Sequence, residues 1–70
     1  MKNYSSREII KMLKKNGWIL ERIVGSHHQF YHPVKHGIVT VPHPKKDFSI
    51  GTAKSILSQA SLTVKDGVRL

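Results

Sequence analysis

Two adjacent histidines are the side chains of this sequence best suited to proton transfer. His27 and His28 directly follow Gly25 and Ser26. Imidazole is the side chain whose unperturbed pKa lies nearest neutrality, so it can both accept and donate a proton there. The chain carries 12 Lys and Arg against four Asp and Glu, which gives a formal charge of +8. Histidines in so basic a chain indicate chemistry on a polyanion, with nucleic acid the first choice.

The histidines and basic side chains suit one reaction in particular, the cleavage of an RNA strand by its own 2′-hydroxyl. It needs a base for the hydroxyl proton, an acid for the leaving oxygen, and cations to stabilise the charge that develops on the phosphate. Either His27 or His28 can transfer a proton, and the residue pattern does not identify the acid. Lys45 and Lys46 form the nearest cationic pair in sequence, and they can hold the phosphate.

Three further residues extend this candidate RNA site. The backbone N–H groups around Gly25 and Ser26 can form an anion-binding nest, because glycine lets the backbone come close to a ligand. Tyr31 can stack on a base. Each feature also has a plainer interpretation, since histidine pairs, lysine pairs and strand tyrosines are usually ordinary polar surface.

A metal site is the main rival interpretation of the histidines. Five of them lie between positions 27 and 43, and imidazole is a common zinc ligand. Their spacing matches no familiar zinc pattern, the chain has no cysteine, and carboxylates are few. We therefore predict no metal and no cofactor.

The length and composition predict one small domain. Seventy residues leave little chain for a second unit.

No apolar run approaches the roughly 20 residues of a membrane span, so we expect no membrane partner. The lack of cysteine fits a reducing compartment, and the charged N-terminal stretch lacks a signal-peptide apolar region. We expect a cytoplasmic protein.

Local signals predict the order helix, three strands, helix. The first helix covers residues 5–16, with Ser5 and Glu8 as a capping box. Strands are predicted at 18–24, 27–32 and 38–41 from their β-branched and aromatic content. Ser49 caps a second helix over 50–60, and residues 63–70 are expected to form a tail.

Alternation along the second strand assigns its residues to two faces. Phe30 is the natural core residue, so His28 and His32 share its inward face. The side chains of His27, Gln29 and Tyr31 then lie on the other face. Because a three-stranded sheet must cover one face to stay folded, we expect an α+β domain with both helices on one side and an open platform on the other.

The residues in this order closely resemble the HicA toxins of bacterial type II toxin–antitoxin systems. The likeness lies in Gly25-Ser26-His27-His28-Gln29-Phe30, in His32-Pro33 and in Val39-Thr40-Val41-Pro42-His43-Pro44. Gly17-Trp18 and Ile50-Gly51-Thr52 also match, so the resemblance covers roughly residues 5–62 of a predicted domain at 1–62.

The resemblance implies a double-stranded-RNA-binding-domain-like fold and a ribosome-independent, metal-independent endoribonuclease that cleaves mRNA. In that family the catalytic histidine follows the Gly-Ser turn, which is His27 here, with His28 as the second choice. A HicB antitoxin is the implied partner, and it covers the site and usually binds operator DNA. We therefore expect no direct DNA binding outside that complex. Since domains of this fold often bind RNA without cutting it, a non-catalytic RNA-binding module is the alternative.

Overall fold

The predicted order of elements is confirmed by the computed structural model, which describes residues 3–62. The expected tail at 63–70 lies outside the described residues. The chain forms two helices and three strands, in the order α1 (Ser6–Lys15), β1 (Ile19–Val24), β2 (His27–Tyr31), β3 (Val39–Pro42) and α2 (Ile50–Gln59).

Helix α1 begins at the capping box indicated by the sequence. The Ser5 hydroxyl accepts the Glu8 N–H at 3.1 Å, and the Glu8 carboxylate accepts the Ser5 N–H at 2.9 Å. Such a cap stabilises a helix by about 1 kcal/mol, because it satisfies N–H groups that have no partner within the helix. Lys14 and Lys15 occupy the last turn, where cations suit the helix dipole. Gly17 then ends the helix with φ at +92°.

The three strands form an antiparallel meander in the order β1-β2-β3. His27 pairs with Val24 on one side and with Pro42 on the other. The β1–β2 register shifts between Leu20 and Arg22, which leaves Glu21 as an extra, bulged residue. Pro42 ends β3, where its missing N–H costs no ladder bond.

Both helices pack on the same side of the sheet, chiefly against β3. Phe30, Val39 and Val41 are fully buried there, and the burial of Phe30 agrees with the alternation predicted for the second strand. Burying each large apolar side chain contributes about 1.5–3 kcal/mol. The helices contribute to this core mainly through Ile9, Met12, Leu13, Ala53, Ile56 and Leu57.

Strand β1 extends beyond the cover of the helices. Its apolar side chains keep between 38% and 54% of their surface exposed, and they are Ile19, Leu20, Ile23 and Val24. Trp18, just before the strand, is 2% exposed and belongs to the core. The sheet therefore has an apolar free edge among the described residues.

A short backbone bridge joins the start of the chain to the segment before α2. Tyr4 N–H donates to the Phe48 carbonyl at 3.2 Å, and Phe48 N–H donates to the Tyr4 carbonyl at 2.6 Å. Both side chains are buried in the core. This bridge, which the sequence pattern did not predict, holds the start of α1 beside residues 45–48.

Neither helix within residues 3–62 has the length and apolar character needed to cross a bilayer.

Candidate active site

His27 is exposed on the sheet face that the helices leave uncovered. It is the first residue of β2 and follows the Gly25-Ser26 turn. Its cross-strand neighbour on β3 is Pro42. Its ring makes no hydrogen bond with any side chain or backbone group of residues 3–62. The imidazole is therefore accessible to a large substrate.

His28 lies on the opposite face, as the alternation predicted, and is half-buried. Its ring meets the ring of His43 edge-on, with centroids 4.8 Å apart and an angle of 81° between the planes. The Nδ1 atom of His28 is enclosed and has no hydrogen-bond partner among the described residues. The half-buried ring and its contact with His43 are compatible with a packing role as well as with a catalytic one.

His43 is held by a hydrogen-bond network that the sequence did not indicate. The Ser6 hydroxyl lies 2.7 Å from His43 Nδ1 and accepts the Lys45 N–H at 2.8 Å. Ser6 also donates its own N–H to the Lys45 carbonyl at 2.7 Å. At 1% exposure, Ser6 is the one polar side chain buried within residues 3–62. The first turn of α1 thus fixes the segment that follows β3.

A groove of about 450 Å³ opens between the first turn of α1 and the residues after β3. It contains three cationic side chains, two of them expected, Lys45 and Lys46, and a third, Arg7. The Lys45 ammonium also lies 5.9 Å from the centre of the Phe48 ring, within range of a cation–π contact. The full lining is Ser5, Ser6, Arg7, His43, Pro44, Lys45 and Lys46.

The Gly25-Ser26 turn lies at the same end of the sheet as this groove. The Ser26 carbonyl accepts the His43 N–H at 2.7 Å, which extends the β2–β3 ladder by one step. Gly25 has φ at +60°, and no described atom lies within 4 Å of the position that a Cβ would take there. The side of the turn at Gly25 is therefore open, as close approach of a ligand requires.

Tyr31 lies at the other end of β2, where it pairs with Ile19. A strand rises about 3.3 Å per residue, so Tyr31 is roughly 13 Å along the strand from His27. It is 38% exposed and on the same open face as His27. Tyr31 therefore shares the open face with His27 but lies away from the turn and the groove.

His32 has a structural role. Its Nδ1 accepts the N–H groups of Val34 and Lys35 at 3.0 and 3.1 Å, so its hydrogen is on Nε2 and points to the Asn16 carbonyl at 3.1 Å. The ring also meets Trp18 edge-on at 5.2 Å. Within residues 3–62, no three His, Asp or Glu side chains are grouped as metal ligands would be.

The comparison with protein-family models gives one family for this chain. The model of the HicA toxin of bacterial toxin–antitoxin systems matches residues 6–62, which include both helices and all three strands. No curated protein matches the sequence significantly. The family match covers most of the chain, and it includes the turn, the histidine pair and all of the groove lining except Ser5. The protein therefore belongs to the HicA family and is the toxin component of a bacterial toxin–antitoxin system.

Proposed function

We propose that this toxin is an mRNA endoribonuclease in which His27 transfers the proton that starts strand cleavage. One observation carries the proposal: an exposed imidazole, free of hydrogen bonds within residues 3–62, lies beside a glycine turn at the same end of the sheet as a cationic groove. A base that acts on a macromolecular substrate must be accessible, and His27 is the exposed member of the histidine pair.

In the proposed reaction, His27 removes the proton from a ribose 2′-hydroxyl, and the resulting oxygen attacks the neighbouring phosphorus. Lys45 and Lys46 stabilise the negative charge that builds up on the phosphate oxygens. The backbone N–H groups around Gly25 and Ser26 add to this stabilisation. Tyr31 contacts a base further along the open face.

His28 is the less suitable base. Its half-buried ring packs on His43, and its enclosed Nδ1 offers the substrate no access. We assign it the role of supporting the His43 ring. The reaction needs no metal in this scheme, because the imidazole itself moves the proton.

The partner that the toxin family implies is, we propose, a HicB antitoxin that covers the open face in the cytoplasm. Two features support this. Ile19 and Val24 of β1, which pair with Tyr31 and His27 on the open face, are exposed, as a protein interface requires. The charge of +8 suits an acidic partner surface. By covering His27, such a partner would block access of RNA.

The test is cleavage of a defined RNA in EDTA by wild type, His27→Ala and a control, His36→Ala. His36 is also exposed, but it lies in the β2–β3 connection. Because general base catalysis is worth about 10²- to 10⁴-fold, we expect His27→Ala to lose at least about 10²-fold in rate while retaining RNA binding. The control should cleave normally.

Three results would contradict the proposal. Wild-type cleavage by His27→Ala would exclude His27 as the base. RNA binding by wild type without any cleavage would favour the non-catalytic RNA-binding module. Loss of activity in EDTA that zinc restores would indicate a metalloenzyme.

A further inference from the structure

We infer that His43 is a second catalytic histidine, which donates a proton to the leaving 5′-oxygen, and that Ser6 positions it. This inference rests on the proposed RNA cleavage and supplies the acid that the reaction needs. Four observations support it: the hydrogen bonds of Ser6, the position of His43 at the end of the sheet, the groove beside its ring, and the packing of His28.

The hydrogen bonds of Ser6 determine which nitrogen of His43 is available. Because the Ser6 oxygen already accepts the Lys45 N–H at 2.8 Å, its hydroxyl hydrogen is free to point at His43 Nδ1, 2.7 Å away. A neutral His43 then carries its hydrogen on Nε2. A protonated His43 can instead donate Nδ1–H to the second lone pair of the same oxygen. Ser6 therefore accommodates both protonation states, as an orienting partner of an acid must.

His27 and His43 reach one end of the sheet from opposite faces. The His43 N–H binds the Ser26 carbonyl, so His43 is cross-strand from the residue that precedes His27. The ring of His43 packs on His28 and bonds to Ser6, both on the helix side, whereas His27 is on the open side. In-line displacement places the attacking and leaving oxygens on opposite sides of phosphorus. A phosphate at this end of the sheet would have one imidazole on each side.

The groove beside His43 suits the leaving strand. Arg7, Lys45 and Lys46 line it together with the His43 ring. Neither Arg7 nor Lys46 makes an ion pair with another residue in the range 3–62. Cations that line a groove together with an imidazole attract the phosphates that follow the cleaved bond.

The proposed step is balanced. His27 takes the 2′-hydroxyl proton, the 2′-oxygen bonds to phosphorus, and the bond from phosphorus to the 5′-oxygen breaks. Protonated His43 gives its Nε2 proton to that 5′-oxygen. The products are a 2′,3′-cyclic phosphate and a 5′-hydroxyl, with no net change in protons or electrons.

The competing interpretation is that His43 only anchors the chain to α1. The variant His43→Asn distinguishes the anchoring role from the acid role. The Asn amide can still bond to Ser6, but it has no group that can donate a proton in place of Nε2. The substrate pair is an RNA cut by wild type at a mapped bond and the same RNA with a bridging sulfur in place of the 5′-oxygen at that bond. Sulfur leaves as a thiolate and needs no proton.

We expect His43→Asn to cleave the oxygen substrate at least about 10²-fold more slowly than wild type and the sulfur substrate within a few-fold of wild type. His27→Ala should be slow on both substrates, because the attacking hydroxyl still needs a base. Ser6→Ala should show a smaller version of the His43→Asn pattern, since it removes the orienting bond to His43, together with the bond from the Lys45 N–H, and leaves the imidazole in place. Circular dichroism spectra verify that each variant is folded.

Equal slowing of His43→Asn on both substrates would overturn the inference in favour of an anchoring role. Wild-type cleavage of the oxygen substrate by His43→Asn would also overturn it, while leaving the role of His27 intact. If wild type cuts neither substrate, the proposed function fails, and the inference fails with it.

Discussion

The Nε2 atom of His32 lies 2.8 Å from the position that a Cβ on Gly17 would occupy. The same nitrogen bonds to the Asn16 carbonyl at the end of α1, so the imidazole caps the helix where the chain turns into β1. A side chain at position 17 would push the ring away from that carbonyl. The turn therefore depends on glycine for two separate reasons, its positive φ and the space taken by His32.

Gly17→Ala should destabilise the domain more than Gly37→Ala does. Both glycines have φ near +90°, where a non-glycine residue costs roughly 1–2 kcal/mol. No described atom lies within 4 Å of a Cβ at Gly37, so that variant measures the backbone cost alone. Urea denaturation of both variants gives the difference, which reports the clash with His32. Equal free energies of unfolding would show that the ring moves aside at no cost.

Lys46→Gln should weaken RNA binding and reduce its dependence on salt. Each phosphate contact contributes about 0.7–0.9 to the slope of log affinity against log salt concentration, because binding releases condensed counterions. Lys54→Gln is the matched control, since Lys54 is exposed on α2 and does not line the groove. Affinities measured at several salt concentrations should give a shallower slope for Lys46→Gln only. Identical slopes for the two variants would remove Lys46 from the RNA site.

Ile19→Lys should weaken the complex with a HicB antitoxin without abolishing RNA cleavage. Ile19 pairs with Tyr31 and is 44% exposed on the open face, away from the turn and the groove. A lysine there places a charge in a surface that the proposed partner would bury. Val34→Lys is the control, because Val34 is 80% exposed in the β2–β3 connection. Titration calorimetry with the antitoxin should separate the two variants, and equal affinities would exclude this part of the sheet from the interface.

The fold was predictable because its signals are local. Ser5, Glu8 and Ser49 mark the starts of the helices through bonds to residues only three positions away. The alternation around Phe30 assigns the faces of β2 without reference to the rest of the chain. The ends of the strands differ from the predicted ends by at most one residue, because tertiary packing determines where each strand begins and ends. Trp18 is buried just before β1, and Pro42 closes β3 against His27.

The parts of the site that were not predicted depend on contacts between distant residues. Ser6 and His43 are 37 positions apart, and no spacing rule connects them. Arg7 resembles any other exposed helix residue until the groove beside it is seen. The sequence showed His43 only as one of five histidines and as part of the HicA likeness, and neither gave it a role in the reaction. By contrast, the Gly-Ser turn and the histidine pair are adjacent in sequence, so they could be recognised before the fold was known.

We expect the bulge at Glu21 to limit edge-to-edge association of the toxin at high concentration. A long, flat, apolar edge strand is a template for stacking with other copies, and β1 has the apolar residues for it. The extra acidic residue interrupts the regular spacing of its outward N–H and C=O groups and increases the local twist. We therefore expect a second molecule to align with only a few residues at a time, which opposes fibril growth from the free edge.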